Sequence, residues 1–408
     1  MILRSWAEGL LHAPASPEVI DLHVRDVAAA FLTGLRTNDG QPFARHAKES
    51  RNPAELAVTM SAITRLSECD DIHLASCVTP GAIVIPIALA FADGHSEDVI
   101  IQAMSTGYAA GIGLGIAIGG PRAFARGVWP TLAAAPVMAA ATASCLISGD
   151  PERLAHAIAL ALPYSNVHVV HPSLRWTQFG LVVSHGLRAA EAAHRGERGN
   201  LDRLPDNADT AAFESAASIA TVGFKPFPIA RQGANAVVAL QRLIAKGCEP
   251  RQIDSIEVFA PSINTAFLNR AISESDRLSR LCNMGLQLAG AALATDLLYD
   301  SDRKRWADVT DFAHRVTVTA ASDLESHWPD RWPARVVVHA GGERFEETVI
   351  RAPFDHDAPG LLPLLQEKWR RMLFEEDLTL LNLGQPGSEP YATLWQQIER
   401  RLRAPAED

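Results

Sequence analysis

Cysteine is scarce: Cys69, Cys77, Cys145, Cys248 and Cys282 are the only five, widely scattered and with no C-x-x-C spacing. An odd, dispersed set fits neither a disulfide framework nor a zinc or iron–sulfur site. A reducing compartment is the simplest expectation. Positive charge is not concentrated either. The formal net charge is −10 and no block of Lys and Arg occurs, which argues against a general nucleic-acid binder. Net acidity leaves room for an anionic small ligand, because a few buried Arg or Lys set the local field. A Gly-rich phosphate loop, G-x-S-x-G and H-E-x-x-H are all missing. His168 and His171 have the spacing of a metal pair, but no third ligand is evident; no metal is expected. The opening Met-Ile-Leu-Arg-Ser-Trp-Ala-Glu-Gly lacks signal-peptide architecture, so the expected location is cytoplasmic.

Long uncharged runs are present, at 99–121 and 128–149. Each is long enough to cross a bilayer. They are nevertheless rich in Ala and Gly, poor in Leu and Phe, and interrupted by Gln102, Ser105, Thr131, Pro136, Thr142 and Ser144. Helices buried on all sides of a large helical domain have the same texture. No membrane span is expected.

At 408 residues the chain exceeds what one hydrophobic core usually holds, and two domains are the default. The first half reads as successive helices. Ser16-Pro17-Glu18 is a start signal, Ile20, Val24, Val27 and Phe31 recur at helical spacing, and Gly34 is placed to end that helix. Asn52-Pro53-Ala54-Glu55 resembles a capping box, and Asp150-Pro151-Glu152 opens another helix. Gly107, Gly111, Gly115 and Gly119 fall four apart, on one helix face where another helix can approach closely. Each costs about 1 kcal/mol relative to alanine, so tight packing is the expected compensation.

After about residue 224 helix and strand mix. A helix is expected over 232–246, strands over 253–259 and around Val316 and Val318, and a helix over 286–299. A hairpin is expected from 335–339 and 344–350 around Ala340-Gly341-Gly342-Glu343. Helices return at 361–373 and 392–402. The reading is a multidomain α and α+β protein: a large all-helical domain of residues 1–223 and 355–408, with a smaller α+β domain of residues 224–354.

Three stretches could carry chemistry. Glu68-Cys69-Asp70-Asp71-Ile72-His73, followed by Thr79-Pro80-Gly81, puts carboxylates and an imidazole on a loop between helices. Such a cluster can move protons near neutral pH. It can equally be structural, with Asp70 or Asp71 capping the next helix and satisfying His73. Lys225 and Arg231, in a Pro-stiffened connection at the domain junction, suit a carboxylate, or they belong to a solvated linker. His168, His171 and Arg175 precede a helix over 180–193.

Taken together these residues resemble a family. Asp70-Asp71, then Thr79-Pro80-Gly81 running into the Ala-rich stretch 84–90, is similar to the MmgE/PrpD signature of paired aspartates, His-Pro and a helix. Gly107-Tyr108 fits its next helix, and 126–131 resembles its Gly-x-His-x-Thr segment. Lys225-Pro226-Phe227-Pro228 with Arg231 resembles its Lys-Pro-Tyr-Pro block, and 277–300 and 332–338 continue in family order. The family includes 2-methylcitrate dehydratase, cis-aconitate decarboxylase and iminodisuccinate epimerase. The resemblance implies a helical domain with an α+β lid, a homodimer, and no metal or organic cofactor. The chemistry it implies is proton removal or addition beside a substrate carboxylate. The match has gaps: Thr79 and Trp129 stand where the family has histidines, Arg175 where it has a lysine, and Gly285 where it has a tyrosine.

The leading expectation is therefore a divergent lyase, isomerase or epimerase acting on a small carboxylic acid. Asp70, Asp71 and His73 form its catalytic set. Thr79, Trp129, His171, Arg175, Lys225 and Arg231 contact substrate. The alternative is a catalytically silent member that binds a ligand or partner subunit, with Trp129 filling the old pocket.

Overall fold

Capping chemistry starts three helices where the sequence places it, at Ser16, Asn52 and Asp150. The computed structural model describes residues 2–12, 15–165, 175–213, 217–273, 276–300, 302, 306–381 and 390–404. Helix α1 (Ile2–Leu10) buries Leu3, Trp6, Ala7 and Leu10 on one face. α2 (Pro17–Leu35) begins where Ser16 Oγ accepts the Val19 N–H at 3.4 Å. α3 (Gly40–Glu49) leads to α4 (Pro53–Leu66), capped by Asn52 Oδ1 on the Ala54 N–H at 2.9 Å. Glu55 accepts from Ser50 Oγ at 2.5 Å, so the closure at this end uses a residue two positions before the expected box.

Gly34 does not terminate α2; the helix runs one residue past it. A Cβ at Gly34 would stand 2.1 Å from the Ile63 carbonyl oxygen of α4. Glycine is needed there for the approach of two helices.

α5 (Gly81–Ala90), α6 (Glu97–Ala117) and α7 (Pro130–Ile147) form the centre of the first unit. α6 and α7 are long and apolar enough to cross a membrane, yet 78% and 94% of their apolar windows lie buried inside the protein. They are core helices. Gly107 and Gly111 face α7: a Cβ would meet Thr142 Oγ1 at 2.1 Å and Met138 Sδ at 2.3 Å respectively. Gly119 lies beyond the helix with φ 94°, so the glycine row is a packing face closed by a turn. α8 (Pro151–Ala161), capped by Asp150 Oδ1 on the Arg153 N–H at 2.8 Å, and α9 (Arg175–His194) pack beside α7.

The second unit, residues 224–372, is mixed. α10 (Arg231–Ala245) precedes β1 (Ile253–Ala260), α11 (Ser262–Leu268), α12 (Arg277–Cys282), α13 (Met284–Leu293), α14 (Thr295–Tyr299) and α15 (Thr310–Ala313). Then follow β2 (Val316–Ala320), β3 (Ala334–Ala340), β4 (Glu343–Val349) and α16 (Leu361–Met372). The strand order is β2-β1-β3-β4, with β1 and β2 parallel and the other pairs antiparallel. Ile253, Ile256, Val258 and Ala260 of β1 join Val336 and Val338 of β3, α10 and α13 in one core. The β3–β4 turn has φ 58° at Gly341 and 81° at Gly342, the left-handed pair that a two-residue hairpin turn requires. The helix expected over 286–299 is broken at Ala294, whose φ of −153° and ψ of 78° separate α13 from α14.

The tail divides. α16 groups with the second unit, whereas residues 373–408, with α17 (Glu375–Leu381) and α18 (Tyr391–Arg403), group with residues 1–223. The chain is thus a mostly helical body with a smaller α+β part, the fold class its sequence predicts.

Candidate functional site

The loop between α4 and α5 is held unusually firmly. Ser67 Oγ donates to the Thr64 carbonyl at 2.7 Å and accepts the Cys69 N–H at 3.1 Å. Glu68 (φ 52°) and Cys77 (φ 55°) are two of the three non-glycine residues with positive φ among those described. Each such residue costs of order 1–3 kcal/mol, and such strain clusters at functional sites. Two short bridges pin the segment: Ile72 pairs with Gly223 through bonds of 2.9 and 3.0 Å, and the His73 N–H donates to Val78 O at 2.8 Å.

Buried charge fixes the first half of the loop. Arg65, near the end of α4, reaches Asp70 and, at 3.1 Å, Glu68; all three are nearly sequestered from solvent. Burial alone would weaken proton binding by Arg65, but the two carboxylates outweigh it and raise its pKa. The Phe179 ring of α9 lies 5.5 Å from the guanidinium.

Asp71 is fully buried and has three partners. Its Oδ1 accepts the Gly81 N–H at 2.9 Å, at the first residue of α5. Its Oδ2 accepts from the Tyr108 hydroxyl at 2.6 Å and meets His23 Nδ1 at 2.8 Å. The two rings stand edge to face, 5.5 Å between centroids. Burial pushes the Tyr108 phenol well above its ordinary range, and the negative charge of Asp71 adds to this. Gly81 has to be glycine: a Cβ would come within 2.6 Å of both Asp71 Oδ2 and the Tyr108 oxygen. Asp71 therefore caps α5 while tying α2 and α6 to the loop.

The second half carries the partly exposed His73 and the buried Thr79. His73 is partly buried; its Nδ1 lies 2.9 Å from Ser76 Oγ and accepts the Ser76 N–H at 3.2 Å. Thr79 donates through both its N–H (3.1 Å) and its hydroxyl (3.2 Å) to Thr131 Oγ1, in the first turn of α7. Trp129 is the residue before α7, partly buried and edge-on to Phe124 at 5.2 Å. Asp70, Asp71, His73 and Thr79 thus share one loop, with Trp129 two residues from the threonine that Thr79 bonds.

The remaining candidates are placed differently. His171 lies outside the described residues, as does the side chain of Arg175, the first residue of α9. Lys225 is buried in the second unit, ahead of α10. Arg231 is also buried there; its Nη2 donates to Asp355 at 2.6 Å and its Nη1 to Asn235 at 3.3 Å. That guanidinium is engaged by a carboxylate of its own unit. Gly285 has no room for a tyrosine, since a Cβ would already approach the Ala313 carbonyl oxygen to 2.4 Å. All five cysteines are buried and outside disulfides, and burial pushes the Cys145 thiol to about 11. Among the described residues no group of three or more His, Cys, Asp or Glu is arranged to hold a metal ion.

Sequence reasoning misses His23, Arg65 and Ser76 and gives Tyr108 no role. His23 has a signal: it falls three residues after Ile20 and four before Val27, inside the apolar stripe of α2. A polar ring at such a position needs a buried partner.

Residues 23–215 match the family model for the MmgE/PrpD N-terminal domain. The matched span includes Arg65, Asp71, His73, Tyr108 and Thr131. No curated protein matches the chain.

Proposed function

We propose that this chain, which belongs to the MmgE/PrpD family, is a lyase or an isomerase that exchanges a C–H proton next to a carboxylate of a small organic acid. The family suggests an enzyme of the dehydratase and lyase kind; the substrate class and the site are our reading. In a lyase the carbon beside the carboxylate gives up its proton, a double bond forms, and the neighbouring group departs. A hydroxyl leaves as water once it has gained a proton. In an isomerase the proton returns to the same carbon from the other side. Neither route calls for a cofactor, and we place the activity in the cytoplasm, in a homodimer.

The observation that carries this reading is the site of Asp71. A carboxylate with three partners and no exposure is not placed to touch substrate itself; it makes the loop bearing His73 and Thr79 rigid. Preorganised polar groups of this sort supply most of the stabilisation in reactions that develop negative charge on oxygen. Lys225, by its likeness to the family's lysine, is our choice of cation for the substrate carboxylate.

The same commitment of Asp71 and Arg231 to internal partners favours a second reading, a silent member that only binds a ligand. Incubation with a panel of di- and tricarboxylates in D₂O, followed by proton NMR, separates the two. Loss of a substrate C–H signal or appearance of an alkene supports the enzyme. No change with any acid, together with a ligand-induced rise in thermal midpoint, supports the binder.

A further inference from the structure

We infer that Ser76 fixes His73 as the tautomer protonated on Nε2, so that this imidazole meets an anionic substrate oxygen as a hydrogen-bond donor and does not remove the C–H proton. The role assigned to the donor rests on the loop being the proton-handling element proposed above; the tautomer does not.

A backbone N–H can only donate. The Ser76 N–H is directed at His73 Nδ1 at 3.2 Å, so Nδ1 must offer its lone pair, and a neutral imidazole with an unprotonated Nδ1 carries its proton on Nε2. The Ser76 hydroxyl agrees. Its oxygen accepts the Val78 N–H at 3.3 Å, and its single proton has Nδ1 at 2.9 Å or the more distant His73 carbonyl at 3.4 Å. The shorter contact is a second donor to the same nitrogen.

The arrangement cannot relax cheaply. Ser76 is fully buried, and the left-handed Cys77 follows it. The His73–Val78 bridge closes the turn. Behind it stands α6: a Cβ at Gly115 would come within 2.8 Å of Ser76 Cβ and 3.0 Å of its carbonyl oxygen. Moving a proton onto Nδ1 would set it against the Ser76 N–H inside this packed turn.

The chemistry follows from the tautomer. A histidine acting as a base needs its lone pair on the nitrogen facing substrate and its proton on the other. Here the order is reversed. A neutral Nε2–H donor suits the oxygen of a carboxylate, or of the enediolate that forms when the neighbouring carbon is deprotonated. Ser76 is then a positioning residue, and the base is a group other than His73.

Nitrogen-15 NMR of the full chain labelled at histidine tests this directly. The His73 signals are identified by their disappearance in His73→Gln. At neutral pH Nδ1 is expected as the unprotonated nitrogen and Nε2 as the protonated one, with a fraction of the Nδ1–H form appearing in Ser76→Ala. A wild-type spectrum showing Nδ1–H, or two protonated nitrogens, overturns the proposal whether or not Ser76→Ala folds. An Nε2–H spectrum from a chain that exchanges no substrate proton would uphold the tautomer and defeat the lyase reading alone.

Discussion

The hydroxyl of Tyr108 donates to the carboxylate of Asp71 at 2.6 Å, and neither residue is exposed. One hydrogen bond therefore joins the middle of α6 to the loop before α5. Through His23 on the same carboxylate oxygen, α2 is joined as well.

Removing that hydroxyl leaves the fold with an under-satisfied buried acceptor. Tyr108→Phe is expected to lower stability by about 1–3 kcal/mol. The check is a urea titration, in which the midpoint falls with little change in slope.

The same phenol makes stability sensitive to alkali. Folding holds the Tyr108 proton, through burial first and the Asp71 charge second, well above the ordinary value of 10.0. The folded state therefore binds this proton more tightly than the unfolded chain does. The resulting stability is complete below the ordinary value and is lost as pH climbs through and beyond it. Tyr391 is pushed up in the same direction by burial and adds a parallel loss. Urea midpoints measured on either side of the ordinary value should fall less in Tyr108→Phe than in the unmodified chain.

Arg65 balances two buried carboxylates. Arg65→Met should cost about 3–5 kcal/mol, because removing one side of a buried ionic group strands the other. The loss should be seen as a lower thermal midpoint, and it should shrink when Glu68→Gln and Asp70→Asn are added to remove the stranded charge. Equal midpoints for Arg65→Met and the unmodified chain would contradict the arrangement.

Two helical glycines should respond in opposite directions. Gly9 of α1 has nothing within 4 Å of the place a methyl group would occupy, so Gly9→Ala should stabilise by about 0.4–1 kcal/mol through helix propensity and unfolded-state entropy. Gly34→Ala would drive a methyl into the Ile63 carbonyl at 2.1 Å and should destabilise by about 1–3 kcal/mol. Paired denaturation curves decide both.

How far the sequence can be read depends on range. Asn52 and Asp150 bond N–H groups two or three residues away, so their helix starts are legible. The Gly341-Gly342 turn is equally local. The apolar runs at α6 and α7 are legible as core because their Ala and Gly content suits helix contact more than lipid contact. Gly34 misleads because a glycine at a helix end and one at a helix crossing look alike until Ile63 is in place. The loop 68–80 is legible as a polar insertion between helices. Its wiring is not: His23 and Tyr108 lie 48 and 37 positions from Asp71, and no spacing rule reaches that far. Arg231 reads as an open cation in the sequence because Asp355, 124 positions on, cannot be paired with it in advance.

The most direct test of His73 as a donor to substrate is the rate of deuterium entry into a turned-over carboxylate, compared between the unmodified chain and His73→Ala. If His73 donates to the oxygen that gains charge, the variant should exchange about 10²–10³-fold more slowly while its urea midpoint stays close to that of the parent. Equal exchange rates in the two proteins would contradict the assignment of the loop as the reacting element.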